Sequence, residues 1–154
     1  MSVIEQKLEE MGHKLPAPKA PLASYLPFKK SGNMLYISGQ LPMNEKGLVT
    51  GRLGAEVDVE GGQKAAEMCA LNILGQIKSA ANVPLEDVIQ FVKLSIFVAS
   101  TPDFTDQHLV ANGASNLIGE LFGEKGRHAR AAVGVPSLPL GAAVEIEAIV
   151  ELAS

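Results

Sequence analysis

The chain has 154 residues, 47% of them apolar and 19% charged, which suits one folded domain and excludes wholesale disorder. Thirteen Lys and Arg against 17 Asp and Glu give a formal net charge of -4, so no global electrostatic attraction draws the chain to nucleic acid or an anionic membrane. Aromatic residues make up 5% and Trp is absent, which leaves Val, Ile, Leu and Ala to build the core.

The single cysteine, Cys69, has no internal disulfide partner, which fits a reducing compartment. The opening MSVIEQKLEEMGHK alternates charge with isolated apolar residues and lacks a secretory h-region. No run approaches the roughly 18 apolar residues of a membrane helix. The expectation is a small, soluble, cytoplasmic domain.

In chain order, Ser2 caps a short helix carrying Val3, Ile4, Leu8 and Met11, and Gly12 ends it. Pro16, Pro18 and Pro21 keep residues 15–22 extended. Tyr25 to Lys30 and Met34 to Ser38 read as two strands around a Ser31-Gly32-Asn33 turn. Residues 40–57 read as a loop. A long helix is expected from about Val59 to Ala81, with Ala66, Cys69, Ile73, Leu74 and Ile77 as its apolar stripe. The small thiol of Cys69 on that stripe is core filling.

After the break at Pro84, Val88 to Val98 alternates as a strand. Thr101-Pro102-Asp103 opens a second helix running to about Phe122, with Leu109, Val110, Leu117, Ile118 and Leu121 inward. A C-terminal hairpin then pairs Ala129–Val135 with Ala143–Leu152 around Ser137–Gly141. The fold class is α+β: one sheet of about six strands, two long helices packed on one face, and a short N-terminal helix. Residues 1–154 form one domain, with 1–21 as helix and connector and 22–152 as core. The second sheet face must be hidden or functional.

Several familiar sites are missing. There is no GxxxxGK[ST] loop, no GxGxxG after a strand and no GxSxG elbow. His13, His108 and His128 have no metal-ligand spacing, and nothing points to a Ser/His/Asp triad. What remains is Arg130, on a strand otherwise built of small apolar residues. A guanidinium fork there either grips a carboxylate bidentately or forms a structural salt bridge to Glu145 or Glu147. Glu145, Glu147 and Glu151 share one strand face, which is either a solvated surface or a place where one carboxylate holds a water beside a substrate.

Two motifs then carry a resemblance. SYLPFKKSGNMLYISGQLP, residues 24–42, resembles the first hairpin of the RidA (YjgF) family, also labelled endoribonuclease L-PSP. ARAAVGVPSLPLGAAVEIEAIV, residues 129–150, resembles its C-terminal signature. The likeness spans about residues 22–152, and the leading helix and the NGASNL stretch resemble a longer branch.

The resemblance implies a fold like that of bacillar chorismate mutase and a homotrimer with a barrel-like centre and sites between subunits. It implies cofactor-independent hydrolysis of enamines and imines such as 2-aminoacrylate to 2-oxoacids and ammonia. Residue by residue, Arg130 matches the carboxylate clamp and Glu145 the acid that positions water. Tyr25 matches a cleft-lining tyrosine and Gly39 the glycine of a Ser-Gly-Gln turn. Asn112 or Ser115 matches a polar helix residue at the cleft. Many members carry Cys where this chain has Ala132, which argues against a thiol mechanism.

The implied partner is a small carboxylate-bearing imine, enamine or 2-oxoacid, with no cofactor, metal or membrane. Two other classes stay open. One is RNA cleavage or translation inhibition, for which Lys125, Arg127, His128 and Arg130 are the sole basic cluster. The other is a non-catalytic binding trimer that would keep Arg130 but need no Glu145.

Overall fold

The computed structural model describes residues 2–18 and 24–154. Part of the expected connector, 19–23, lies outside the described residues. The N-terminal helix α1 spans Val3–Glu10 and carries a full capping box: Ser2 Oγ accepts from the Glu5 amide, and the Glu5 carboxylate accepts from the Ser2 amide, satisfying two orphan donors. Gly12 follows at φ +82°.

The first hairpin pairs β1 (Phe28–Ser31) with β2 (Met34–Gln40). β1 starts later than expected and excludes Tyr25, because Pro27 has no amide to donate; its carbonyl still accepts from the Ser38 amide. The expected loop contains a small ribbon, β3 (Met43–Asn44) with β4 (Gly47–Leu48), tied to the next helix by Asn72 Nδ2, which donates to the Leu41 and Met43 carbonyls.

Helix α2 spans Val59–Gly75 and continues as a π-helical turn over Gln76–Ala80. Its expected stripe is buried, Cys69 included. β5 runs Val88–Ala99. Helix α3 spans Gln107–Phe122, starting later than expected. Leu53 exchanges backbone hydrogen bonds with Ala99 and Thr101, so the Thr-Pro-Asp segment is held as an extension of the strand and a turn. Leu109 is not buried but 37% exposed, and Ala111 and Ala114 join Val110, Leu117, Ile118 and Leu121 on the inward face. The two long helices cross closely at glycines. A Cβ on Gly62 would meet Leu53 and Val110, and one on Gly113 would run into the Gln63 carbonyl.

The C-terminal strands are β6 (Ala129–Val135) and β7 (Val144–Leu152), and the sheet order is β1-β2-β7-β5-β6. The expected C-terminal hairpin is therefore wrong. β6 pairs parallel to β5 on one side, while β7 pairs antiparallel to β5 on the other and also to β2. The helical crossover through α3 suits parallel pairing. The connection after β6 does not fold back; it runs past the far end of β5, where the Gly51 amide donates to the Gly141 carbonyl and the Ala143 amide to that of Val49.

All the long helices cover one face, where Leu35, Ile37, Phe91, Leu94, Ile96, Val144, Ile146 and Val150 are buried. Alternation puts Tyr36, Ser95, Phe97, Ala131, Val133, Glu145, Glu147 and Ile149 on the other, open face. Tyr36 and Val133 remain 45% and 46% exposed there. Among the described residues, no helix is long and apolar enough to cross a membrane.

Candidate functional site

Arg130 points to the helix side of the edge strand β6. Its Nη1 donates to Asn112 Oδ1 at 2.9 Å and to Ser115 Oγ at 3.1 Å, and its Nη2 donates to the His108 carbonyl at 3.0 Å. Residues 108, 112 and 115 are spaced by four and three, which places them on one face of α3. Asn112 and Ser115 were alternatives in the sequence; the structure brings both to Arg130. All three acceptors are neutral, and among the described residues no carboxylate forms an ion pair with Arg130. The expected alternative of a salt bridge to Glu145 or Glu147 is thus excluded by the strand order, since β5 lies between β6 and β7. The result is a half-buried cation with donors to spare.

The network continues to a residue that spacing arguments pass over. Ser115 Oγ lies 2.8 Å from His128 Nε2, and His128 Nδ1 lies 2.6 Å from the Gly126 carbonyl. A carbonyl only accepts, so Nδ1 carries the hydrogen; in the neutral imidazole Nε2 then accepts from the Ser115 hydroxyl. His128 immediately precedes β6 and lies two residues before Arg130, and both side chains reach Ser115 Oγ on α3. That period of two was the available signal. The other histidines lie elsewhere: His13 pairs with Glu67 at 3.5 Å, and His108 contributes its backbone carbonyl.

A second group gathers on the open face. Gly39 lies at a register shift in β2, between the pairs Ile37–Ala148 and Gln40–Ile146, so the expected Ser-Gly-Gln turn is a bulge within a strand. A Cβ on Gly39 would sit 2.5 Å from Glu145 Oε2; the glycine makes room for that carboxylate. Burial, followed by the negative charge of Glu147, holds the Glu145 carboxyl above the ordinary carboxylate range. Ser38 Oγ donates to the Leu26 carbonyl at 2.7 Å, fixing the segment that carries Tyr25 beside this bulge; Tyr25 itself is exposed. Glu147 is exposed, and Glu151 accepts from Gln90 at 2.8 Å. The chain therefore carries two separate groups, Arg130 with its partners on the helix side and Glu145 with Gly39 on the open face.

The endoribonuclease L-PSP family model matches residues 15–152. The chain belongs to this family. The match spans both groups and all five strands of the main sheet. The chain is 51% identical to Protein TCP17 of Trypanosoma cruzi, over 97% of this chain and 94% of that one. It is 31% identical to a 2-iminobutanoate/2-iminopropanoate deaminase of Dermatophagoides farinae, over 88% and 91%. The crystal structure of Atu1372, a protein of unknown function from Agrobacterium tumefaciens, superposes with a TM-score of 0.91 at 56% identity, covering 97% and 94%. Within this L-PSP fold, Ala132 lies two residues after Arg130 on the same helix-side face of β6, and this position offers no thiol. The thiol of Cys69 is buried on α2 with Sγ 3.7 Å from the Val144 carbonyl, and burial raises its pKa well above the ordinary value.

Proposed function

We propose that this protein hydrolyses enamines and imines that carry a carboxylate, of the 2-aminoacrylate type, to 2-oxoacids and ammonia. The observation that carries this reading is Arg130: a guanidinium fixed by three neutral acceptors, with no anionic partner among the described residues. Such a group is preorganised for a carboxylate, because its orientation is set before the ligand arrives. A protonated imine carbon is already electrophilic, so the protein need only hold the carboxylate and aim a water. Positioning of that kind supplies several kcal/mol without a covalent step. The deaminase name of the mite relative agrees with this chemistry.

Glu145 is the acceptor for the attacking water in this reading. Strands sit about 4.8 Å apart, and Glu145 stands two strands from Arg130 on the opposite face, so one protomer does not bring both to one small carbon. The reading therefore includes a homotrimer in which open faces pack together. The Tyr25–Gly39–Glu145 group of one copy then meets the Arg130 edge of another. The exposed Tyr36 and Val133, with Phe97 and Ile149, are the apolar surface such packing would cover.

The test is release of 2-oxoacid and ammonia from an enamine generated in situ, run beside an RNA-degradation assay. Accelerated release with intact RNA supports the proposal. Degraded RNA without acceleration would replace it with the endoribonuclease reading.

A further inference from the structure

We propose that Ser115 and His128 form a proton relay opening onto the ligand held by Arg130, and that Ser115 delivers the proton on which ammonia leaves. This rests on the imine-hydrolysis reading. Ser115 Oγ is shared between two roles: it accepts from Arg130 Nη1 at 3.1 Å and lies 2.8 Å from His128 Nε2. The hydroxyl is therefore adjacent both to the group that would fix the substrate carboxylate and to a base. The imidazole is oriented in turn by the Gly126 carbonyl at 2.6 Å. That carbonyl is held by packing, since Gly126 is buried with its Cβ position 2.6 Å from the Ile118 carbonyl of α3. Hydroxyl, base and orienter in sequence constitute an activated proton-transfer unit.

The chemistry balances as follows. Water adds to the protonated imine carbon, passes its surplus proton to Glu145, from which solvent removes it, and gives a carbinolamine. Its nitrogen takes the Ser115 hydroxyl proton while Oγ takes the Nε2 proton of the imidazolium. The C–N bond breaks with its electron pair going to nitrogen, ammonia departs, and the remaining hydroxyl loses its proton to water as the C=O forms. Solvent then reprotonates His128.

The charged and titratable groups on the surrounding elements are Arg130 on β6, His108 and Glu120 on α3, Lys93 on β5 opposite Ala129, and Glu124, Lys125 and Arg127 in the connecting turn. Arg127 pairs with Glu124 at 3.6 Å. Among these, Arg130 is the one whose side chain is hydrogen-bonded to the relay.

The test compares pH–rate profiles of wild type, Ser115→Ala and His128→Gln on an enamine generated in situ. Gln offers Ser115 an acceptor but does not titrate. Both variants should lose roughly 100-fold in turnover and the same ionisation limb, while inhibition by 2-oxobutyrate changes only a few-fold. Wild-type profiles in either variant, with Arg130→Ala inactive, would overturn the relay and leave imine hydrolysis standing. A second arm follows the His128 imidazole by NMR with and without 2-oxobutyrate and needs no turnover. Binding should shift its ring resonances in wild type but not in Ser115→Ala; an equal response in both would overturn the relay, even if no imine proves to be a substrate.

Discussion

Arg130 and Glu145 stand on opposite faces of one sheet, on strands separated by β5. Arg130 is bound to α3 by three hydrogen bonds, whereas Glu145 faces the bulge at Gly39 across the uncovered side. The two residues that would act on one substrate carbon thus belong to different surfaces of the protomer. In the proposed reading assembly is part of the site: one second copy would both cover the exposed sheet face and bring the two groups together.

Native mass measurement should find a species of three times the 16.2 kDa subunit. Val133→Glu places a charge on the open face and should give monomers with little turnover, because burying an unpaired charge is prohibitive. A stable wild-type monomer with full activity would remove the shared-site account.

Glu145→Gln should lower turnover strongly while 2-oxobutyrate still binds through Arg130. It also has a signature in stability. Burial and Glu147 raise the folded-state pKa of Glu145, so the folded protein binds more protons than the unfolded chain just above the usual value of 4.5. Its contribution therefore becomes less favourable as pH rises through that window. Thermal unfolding should show Glu145→Gln gaining on wild type as pH rises above 4.5, with the difference closing at the acid end. A difference that grows on acidification would contradict the assignment.

Gly39→Ala should displace the Glu145 carboxylate, since the new methyl would occupy the place of Oε2. The obstacle is the end of a flexible side chain, so stability should change by about 1 kcal/mol or less while turnover falls. A double-mutant cycle with Glu145→Gln should be non-additive, the second change costing little once the first is made. Full additivity would show that the glycine serves the backbone and not the carboxylate.

Much of this architecture was readable in the residues. The alternation through Val144–Leu152 located an open face, and the stripe from Ala66 to Ile77 located a buried one. The position of β7 between β2 and β5 was not readable, because local pattern fixes which face a strand buries and not which neighbour it joins. The turn residues 137–141 looked like a hairpin, yet they lead to Val49 and Gly51. The pairing of His128 with Ser115 was unreadable for a related reason. The two residues are 13 apart across a helix–strand crossover, and only the parallel pairing of β6 with β5 sets them side by side.

Gly113→Ala tests how firmly α3 holds the arginine. A methyl there collides with the Gln63 backbone of α2, and backbone cannot step aside cheaply. Urea unfolding should report a loss of roughly 1–3 kcal/mol. Because Gly113 lies between Asn112 and Ser115, affinity for 2-oxobutyrate should fall as well. Unchanged stability would mean that the helices have more room than their crossing shows.

The central claim is tested most directly by the rate of 2-oxoacid formation from an enamine generated in situ, with wild type and Arg130→Ala side by side. Wild type should accelerate release. Arg130→Ala should fold and lose about 3 kcal/mol of transition-state stabilisation, roughly 100-fold in kcat/KM, and Arg130→Lys should recover little because a point charge cannot reproduce the fork. Equal rates for wild type and Arg130→Ala would contradict the account.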